Sequence, residues 1–165
     1  MNLKKTILTA AILHLFLTVV AQKKDKDTDK QTEAFGTVSK EILAAKNSEI
    51  DKNAEAEVLF ETVEQEIALY DFVPEMTIKR HKRIKIYNEK GLDEANFKIR
   101  YVFRNGVEQI SKFEAQTYNL NGTGNVVVTK LDKKATFDKK INNRFNDFIF
   151  TMPEAKAGSV IEIRY

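Results

Sequence analysis

Apolar and polar positions change rhythm three times along this chain. Residues 7–20 form an apolar run behind Lys4 and Lys5, and residues 23–32, KKDKDTDKQT, hold nothing apolar. Beyond Asn53 the period becomes two. Ala54, Ala56, Val58 and Phe60 alternate with Glu55, Glu57, Leu59 and Glu61, the pattern of a strand with one wet face. Ile67, Leu69 and Phe72 predict a second strand, and residues 76–87 a third in which Met76, Ile78, Ile84 and Ile86 share one side. Turn chemistry at Asn88 to Gly91 ends it. Further strands are predicted over residues 96–102, 108–120, 126–131 and 147–152, with turn signals at Asn105-Gly106 and Asn121-Gly122. Ahead of the strands, Ser39 followed by Glu41, Ile42, Leu43, Ala44 and Ala45 predicts a short helix with Ser39 as N-cap and Asn47-Ser48 as its end.

Many short strands at modest spacing predict a mainly β chain, an antiparallel β-sandwich with a short N-terminal helix. The organisation read from these shifts is a signal peptide over residues 1–21, a flexible polar leader over 22–34, a helical lead-in over 35–53 and a sandwich over 54–165. Residues 158–165 alternate up to Tyr165 with no turn or polar tail. This ending predicts a domain incomplete at its C-terminus, a piece of a longer protein whose final strand leaves an edge open.

The apolar run has the three zones of a secretory leader: a basic start, an apolar middle, and small or β-branched residues before the cut. Val19 and Ala21 place cleavage between Ala21 and Gln22. A retained membrane anchor is the competing reading. The uncharged stretch of residues 6–21 is 16 long and contains His14, short of the roughly 18–20 residues needed to span a bilayer. With no Cys after the run, a lipoprotein anchor is excluded. A periplasmic or extracellular product is expected, touching membrane only during export.

Composition narrows the chemistry. At 165 residues with 42% hydrophobic and 31% charged positions, the chain is sized for one domain with a packed core. Lys+Arg 27 against Asp+Glu 24 gives +3, and loss of Lys4 and Lys5 leaves 25 − 24 = +1. A near-neutral body has no global electrostatic drive toward nucleic acid, so none is expected as a partner. Cys 0 removes thiolate catalysis, disulfides and thiolate metal sites.

Base candidates are equally scarce. Once His14 leaves with the leader only His81 remains, between Arg80 and Lys82 with no evident acidic orienter. A surface strand histidine is the expectation, and no catalytic residue, metal or cofactor is predicted. The densest charge cluster is Lys79-Arg80-His81-Lys82-Arg83-Ile84-Lys85. Alternation sends Lys79, His81, Arg83 and Lys85 to one side, which as a group could bind an envelope polyanion. The bland alternative is a solvated face balanced by neighbouring carboxylates. Asp132 and Asp138 flank lysines and serve more simply as their counter-charges than as an acid–base pair. Asn121-Gly122-Thr123 matches a glycosylation acceptor, though a hairpin loop accounts for it, and no glycine spacing cradles a phosphate.

The order of segments carries a resemblance. KRHKRIKIYNEKGL from Lys79 to Leu92, Ala95-Asn96-Phe97-Lys98-Ile99, residues 110–120 with Thr117-Tyr118-Asn119-Leu120, and residues 150–165 with Met152-Pro153 and Gly158-Ser159-Val160-Ile161 follow one another as in the domain of unknown function 3857 family. Residues 35–41 and 51–60 also look like the lead-in of its flavobacterial members. That family is the sandwich module standing in front of transglutaminase-like domains in exported proteins. The resemblance implies a non-catalytic module that binds or scaffolds a substrate or partner. The catalytic Cys, His and Asp of such architectures lie downstream of the module, so none is carried over to this chain. Two readings follow: a binding module that recognises a protein or peptide at an exposed strand edge, or a stand-alone envelope protein that binds polyanionic glycans through Lys79, His81, Arg83 and Lys85.

Overall fold

The computed structural model describes residues 34–165. The leader and the expected cleavage site at Ala21-Gln22 lie outside the described residues. One short helix, α1 (Lys40–Ala44), precedes eight strands: β1 (Ala56–Tyr70), β2 (Val73–Ile86), β3 (Asn96–Val102), β4 (Glu114–Leu120), β5 (Val126–Lys130), β6 (Phe137–Lys140), β7 (Phe145–Thr151) and β8 (Val160–Arg164). They form a five-stranded sheet in the order β1-β2-β8-β4-β5 and a three-stranded sheet in the order β3-β7-β6, every pairing antiparallel. The chain is thus the mainly β, antiparallel sandwich that its period-two patterning predicts.

The core lies between the sheets. Ile84 and Ile86 of β2, Ala115 of β4 and Ile161 and Ile163 of β8 pack with Phe113 against Phe150 of β7, with Phe97 and Phe148 at the margin. The Phe97 and Phe150 rings stack at 4.9 Å, and Phe113 meets Phe148 edge-on at 5.0 Å. The opposite face of the large sheet is covered by the lead-in. Val38 and Leu43 sit on Tyr118 and Val160, flanked by Ile42, Leu59 and Leu120. α1 starts where expected, because the Ser39 hydroxyl accepts from the Ile42 N–H at 3.3 Å.

Several boundaries depart from the periodicity. The two strands predicted across residues 54–72 are one 15-residue strand, β1. A bulge between Val58 and Phe60 flips the alternation, so that Ala56 and Val58 face Ile86 and Ile84 while Phe60 faces Arg83. The strand predicted over 108–120 begins only at Glu114. Its first part folds back on β3, where the Glu108 N–H donates to the Val102 carbonyl at 3.0 Å and the Glu108 carboxylate accepts from the Val102 N–H at 2.6 Å. β6, FDKK, escapes the pattern because it has one apolar residue. Its ladder to β7 holds it, and its charges suit a sheet edge.

Two features position everything that follows. The terminal strand β8 is central rather than an open edge, flanked by β2 and β4. The β1–β2 hairpin instead runs beyond it. The ladder with β8 covers residues 81–85 of β2, whereas the ladder with β1 continues to Tyr70 and Val73. Asp71 and Phe72 close that hairpin as a two-residue turn, both at positive φ (48° and 65°).

Candidate functional site

On the lead-in side of the large sheet, strand alternation gathers a polar cluster under residues 34–45. Glu162 of β8 is fully buried. Its Oε1 accepts from Arg83 Nη2 at 2.6 Å and Nε at 3.2 Å and lies 2.8 Å from His81 Nε2. Its Oε2 accepts from the Gly36 N–H at 3.0 Å, from Gln116 Nε2 at 3.3 Å and from the Tyr118 hydroxyl. Burial alone would raise the carboxyl's pKa. The donors outweigh it, with Tyr118, Gly36, His81 and Arg83 holding Glu162 below the ordinary glutamate value. Burial first, and the facing carboxylate second, push the Tyr118 phenol well above its ordinary value.

The same cluster fastens the lead-in to the sheet. Arg83 Nη2 donates to the Thr37 carbonyl at 2.8 Å, and Lys85 Nζ donates to the carbonyls of Leu43 at 2.8 Å and Gly158 at 2.7 Å. Phe35 lies against His81 at 5.7 Å between ring centroids, and the Arg164 guanidinium stands 4.2 Å from the Phe35 centroid. Phe60 closes the other side of the imidazole at 4.8 Å.

The four cations grouped by alternation therefore do share a side, but the side is covered. Arg83 and Lys85 are at most 1% exposed, and His81 is walled by two aromatic rings. Lys79 is the exposed one, paired with Glu66 at 3.6 Å, and His81 keeps 18% of its side chain accessible. The alternative of a solvated face is corrected for Arg83 and Lys85, because lead-in residues occupy that surface. His81 is likewise corrected from a histidine without an orienter. Its orienter, Glu162, lies 81 residues along the chain. Among the described residues no hydroxyl hydrogen-bonds His81. Asp132 caps a turn through the Lys134 N–H at 2.9 Å and Asp138 accepts from the Tyr101 hydroxyl at 3.0 Å, so the two carboxylates serve separate local roles. Asn121 organises the β4–β5 loop, its side chain accepting from the N–H groups of Thr123 and Asn125. Among the described residues no three His, Asp or Glu side chains gather as metal ligands. A concavity of about 610 Å³ is lined by Asn47, Lys52, Asn53, Glu55, Asn88 and Lys90, with no buried titratable group among them.

The second distinctive surface is the projecting hairpin. One of its faces continues the core side of β2 and carries Val63, Ile67, Leu69, Met76 and Ile78, between 42% and 71% exposed. Gln65, the one polar member of that row on β1, turns its amide to Met76 Sδ at 3.1 Å. The other face carries Glu64, Glu66, Glu75, Thr77 and Lys79, giving way to Ala68, Tyr70 and Val73 toward the tip. At the tip Phe72 is 97% exposed while holding a left-handed backbone that bulky residues avoid. Period-two reading placed Met76 and Ile78 on one side with Ile84 and Ile86, and the strand keeps them there. What it missed is that the second sheet does not extend under them.

No curated protein and no solved structure matches the chain. Residues 75–165, from the outer half of β2 to the end of β8, match the family described as a domain of unknown function, DUF3857. That span holds the central strands of the large sheet and the whole of the small one, and the chain belongs to the DUF3857 family.

Proposed function

We propose that this chain is an exported, non-catalytic binding module that holds or orients a substrate or partner for a transglutaminase-like domain. The observation that carries the reading is the uncovered apolar face of the β1–β2 hairpin, where Ile67, Leu69, Met76 and Ile78 adjoin one another and Val63 lies beyond Gln65. Contiguous apolar surface on a folded domain is costly to leave in water and marks a contact site. Two further points support it. The polar cluster around Glu162 fastens the lead-in, and among the described residues no hydroxyl hydrogen-bonds His81. Export rests on the basic, apolar and small-residue zones of residues 1–21. The resemblance to modules that precede transglutaminase-like domains names the class of partner.

The test is complex formation between the purified chain and a transglutaminase-like domain from the same genome, followed by calorimetry or co-elution. Binding is expected, and Ile67→Ser with Leu69→Ser should weaken it at least about tenfold, since each removes a central apolar anchor. No complex, or a complex untouched by those changes, refutes the reading. So does hydrolytic or transferase activity in the purified chain that survives His81→Ala.

A further inference from the structure

We propose that the polar end of the small sheet is a saccharide site, in which Asn146 takes a hydroxyl of a neutral sugar ring and Phe103 takes the ring's apolar face. No residue of the β1–β2 hairpin lines it, so the site goes beyond the binding-module reading.

Strand alternation builds the site. On β3 Phe97, Ile99 and Tyr101 share a side, and on β7 so do Phe150, Phe148 and Asn146, so the side that starts as core ends polar. The register sets Asn146 between Tyr101 of β3 and Lys140 of β6. The Phe103 N–H donates to the Arg144 carbonyl at 2.9 Å, which ties the segment after β3 to the loop before β7. A concavity of about 370 Å³ opens there. Small-ligand sites occupy roughly 300–1,000 Å³.

Among the lining residues only Asn146 is buried, at 7% exposure. The Tyr101 hydroxyl donates to Asp138 at 3.0 Å and so accepts from Asn146 Nδ2 at 3.4 Å. Asn146 Oδ1 is then left buried with no partner. An orphaned buried acceptor is costly, and an occupant that brings a donor removes the cost.

That unmet group selects the ligand's chemistry. Sulfate or a carboxylate brings acceptors only and leaves Oδ1 orphaned. A metal ion or an amine meets the cations Arg104 and Lys140, while the carboxylate of Asp138 is already engaged by Tyr101. A neutral hydroxyl escapes both objections, because it donates and accepts at once. The rim suits a ring that bears several of them. Asn142 Oδ1 accepts from the Arg144 and Phe145 N–H groups at 2.8 and 2.9 Å, which leaves its amide N–H groups to donate to a ligand, beside Asn105 and Asn143. Phe103, 54% exposed and edge-on to Tyr101 at 6.4 Å, offers the flat apolar surface that the C–H face of a pyranose stacks on.

The test titrates the full chain with glucose, galactose, mannose and N-acetylglucosamine while following backbone and side-chain amide resonances. At least one sugar should give saturable shifts confined to residues 101–106 and 138–146, the Asn146 side-chain amide among them. Phe103→Ala, at an exposed position, should weaken that sugar about tenfold. Asn146→Leu keeps the side chain's size, removes the acceptor, and should abolish the shifts. The fully O-methylated sugar keeps the ring and loses every donor, so it should not bind, and this arm is independent of how Asn146→Leu folds. No shift with any of these sugars overturns the proposal, as does equal binding of the O-methylated form or equal binding by Phe103→Ala. Tighter binding of sulfate or of a nucleoside at the same residues overturns it too. Complex formation through Ile67 and Leu69 is read on other residues, so either reading can fail without the other.

Discussion

Lys85 makes a prediction whose sign and size follow from its surroundings. The residue is 0% exposed, its ammonium is satisfied by two carbonyls, and among the described residues no carboxylate lies within ion-pair distance. Burial pulls its pKa from 10.5 to about 8. An unfolded chain keeps this proton up to its ordinary value, whereas the folded chain releases it near 8. Between those values the unfolded state binds more protons, so stability rises with pH. From pH 7 to pH 9 the gain is about 1 kcal/mol, or roughly 3–5 °C in melting temperature for a domain of this size. Above pH 10 the trend should reverse, because burial lifts Tyr87 to about 12 and Tyr118 higher still, so the unfolded chain loses those protons first. Urea or thermal melts at pH 7, 8 and 9 measure the rise, and Lys85→Met supplies the control. The variant starts less stable, having lost donors to Leu43 and Gly158, but with nothing to titrate its curve should be flatter by the same amount. A flat wild-type profile, or an equal rise in Lys85→Met, refutes the assignment.

Further expectations concern the polar cluster, the tight packing at Gly91 and the hairpin tip. Glu162→Gln removes a buried carboxylate that accepts from Arg83 and Gly36 and should lower stability by about 1–3 kcal/mol in urea titration, with faster proteolysis within residues 34–45. Because Glu162 titrates below its ordinary 4.5 in the folded chain, its contribution is complete above that value and fades as pH falls through the lower one. The acid limb of the Glu162→Gln variant should be correspondingly shallower. Gly91→Ala places a methyl against the Glu55 backbone, 2.8 Å from its carbonyl carbon, and should cost about 1–3 kcal/mol by the same titration. Phe72→Gly relieves the left-handed backbone at the tip and should raise stability by up to about 1 kcal/mol in thermal melts.

The sandwich was readable because most of its strands keep one face in the core. Ile84 and Ile86, and Ile161 and Ile163, alternate with polar residues and point where alternation says they must. The α1 N-cap was readable for a similarly local reason, a Ser side chain three residues before the N–H it accepts from. Misreadings arose where something non-local intervened. The bulge at Val58/Phe60 reverses facing without leaving a Gly or Pro as a signal, and β6 exists because β7 offers it a ladder.

The candidate site was hidden for a deeper physical reason. Alternation can say that Lys79, His81, Arg83 and Lys85 share a side, but not whether that side is wet. The outcome depends on Glu162, which neutralises Arg83 and orients His81 from another strand, and on carbonyls at Thr37, Leu43 and Gly158. None of those partners is identifiable from spacing, because backbone carbonyls belong to every residue and the carboxylate arrives through the sheet order β2-β8-β4. Without such partners a buried Arg–Lys pair would be prohibitively costly, so the natural reading of the sequence was an exposed one. The hairpin was hidden in the opposite way, since Met76 and Ile78 share a side with Ile84 and Ile86 but stand exposed where those two are buried. A residue's pattern specifies its face and the rest of the fold decides what covers it, and at β2 those two levels disagree in both directions. Burial of charges at one end of the strand fastens the lead-in, while apolar side chains stand exposed at the other.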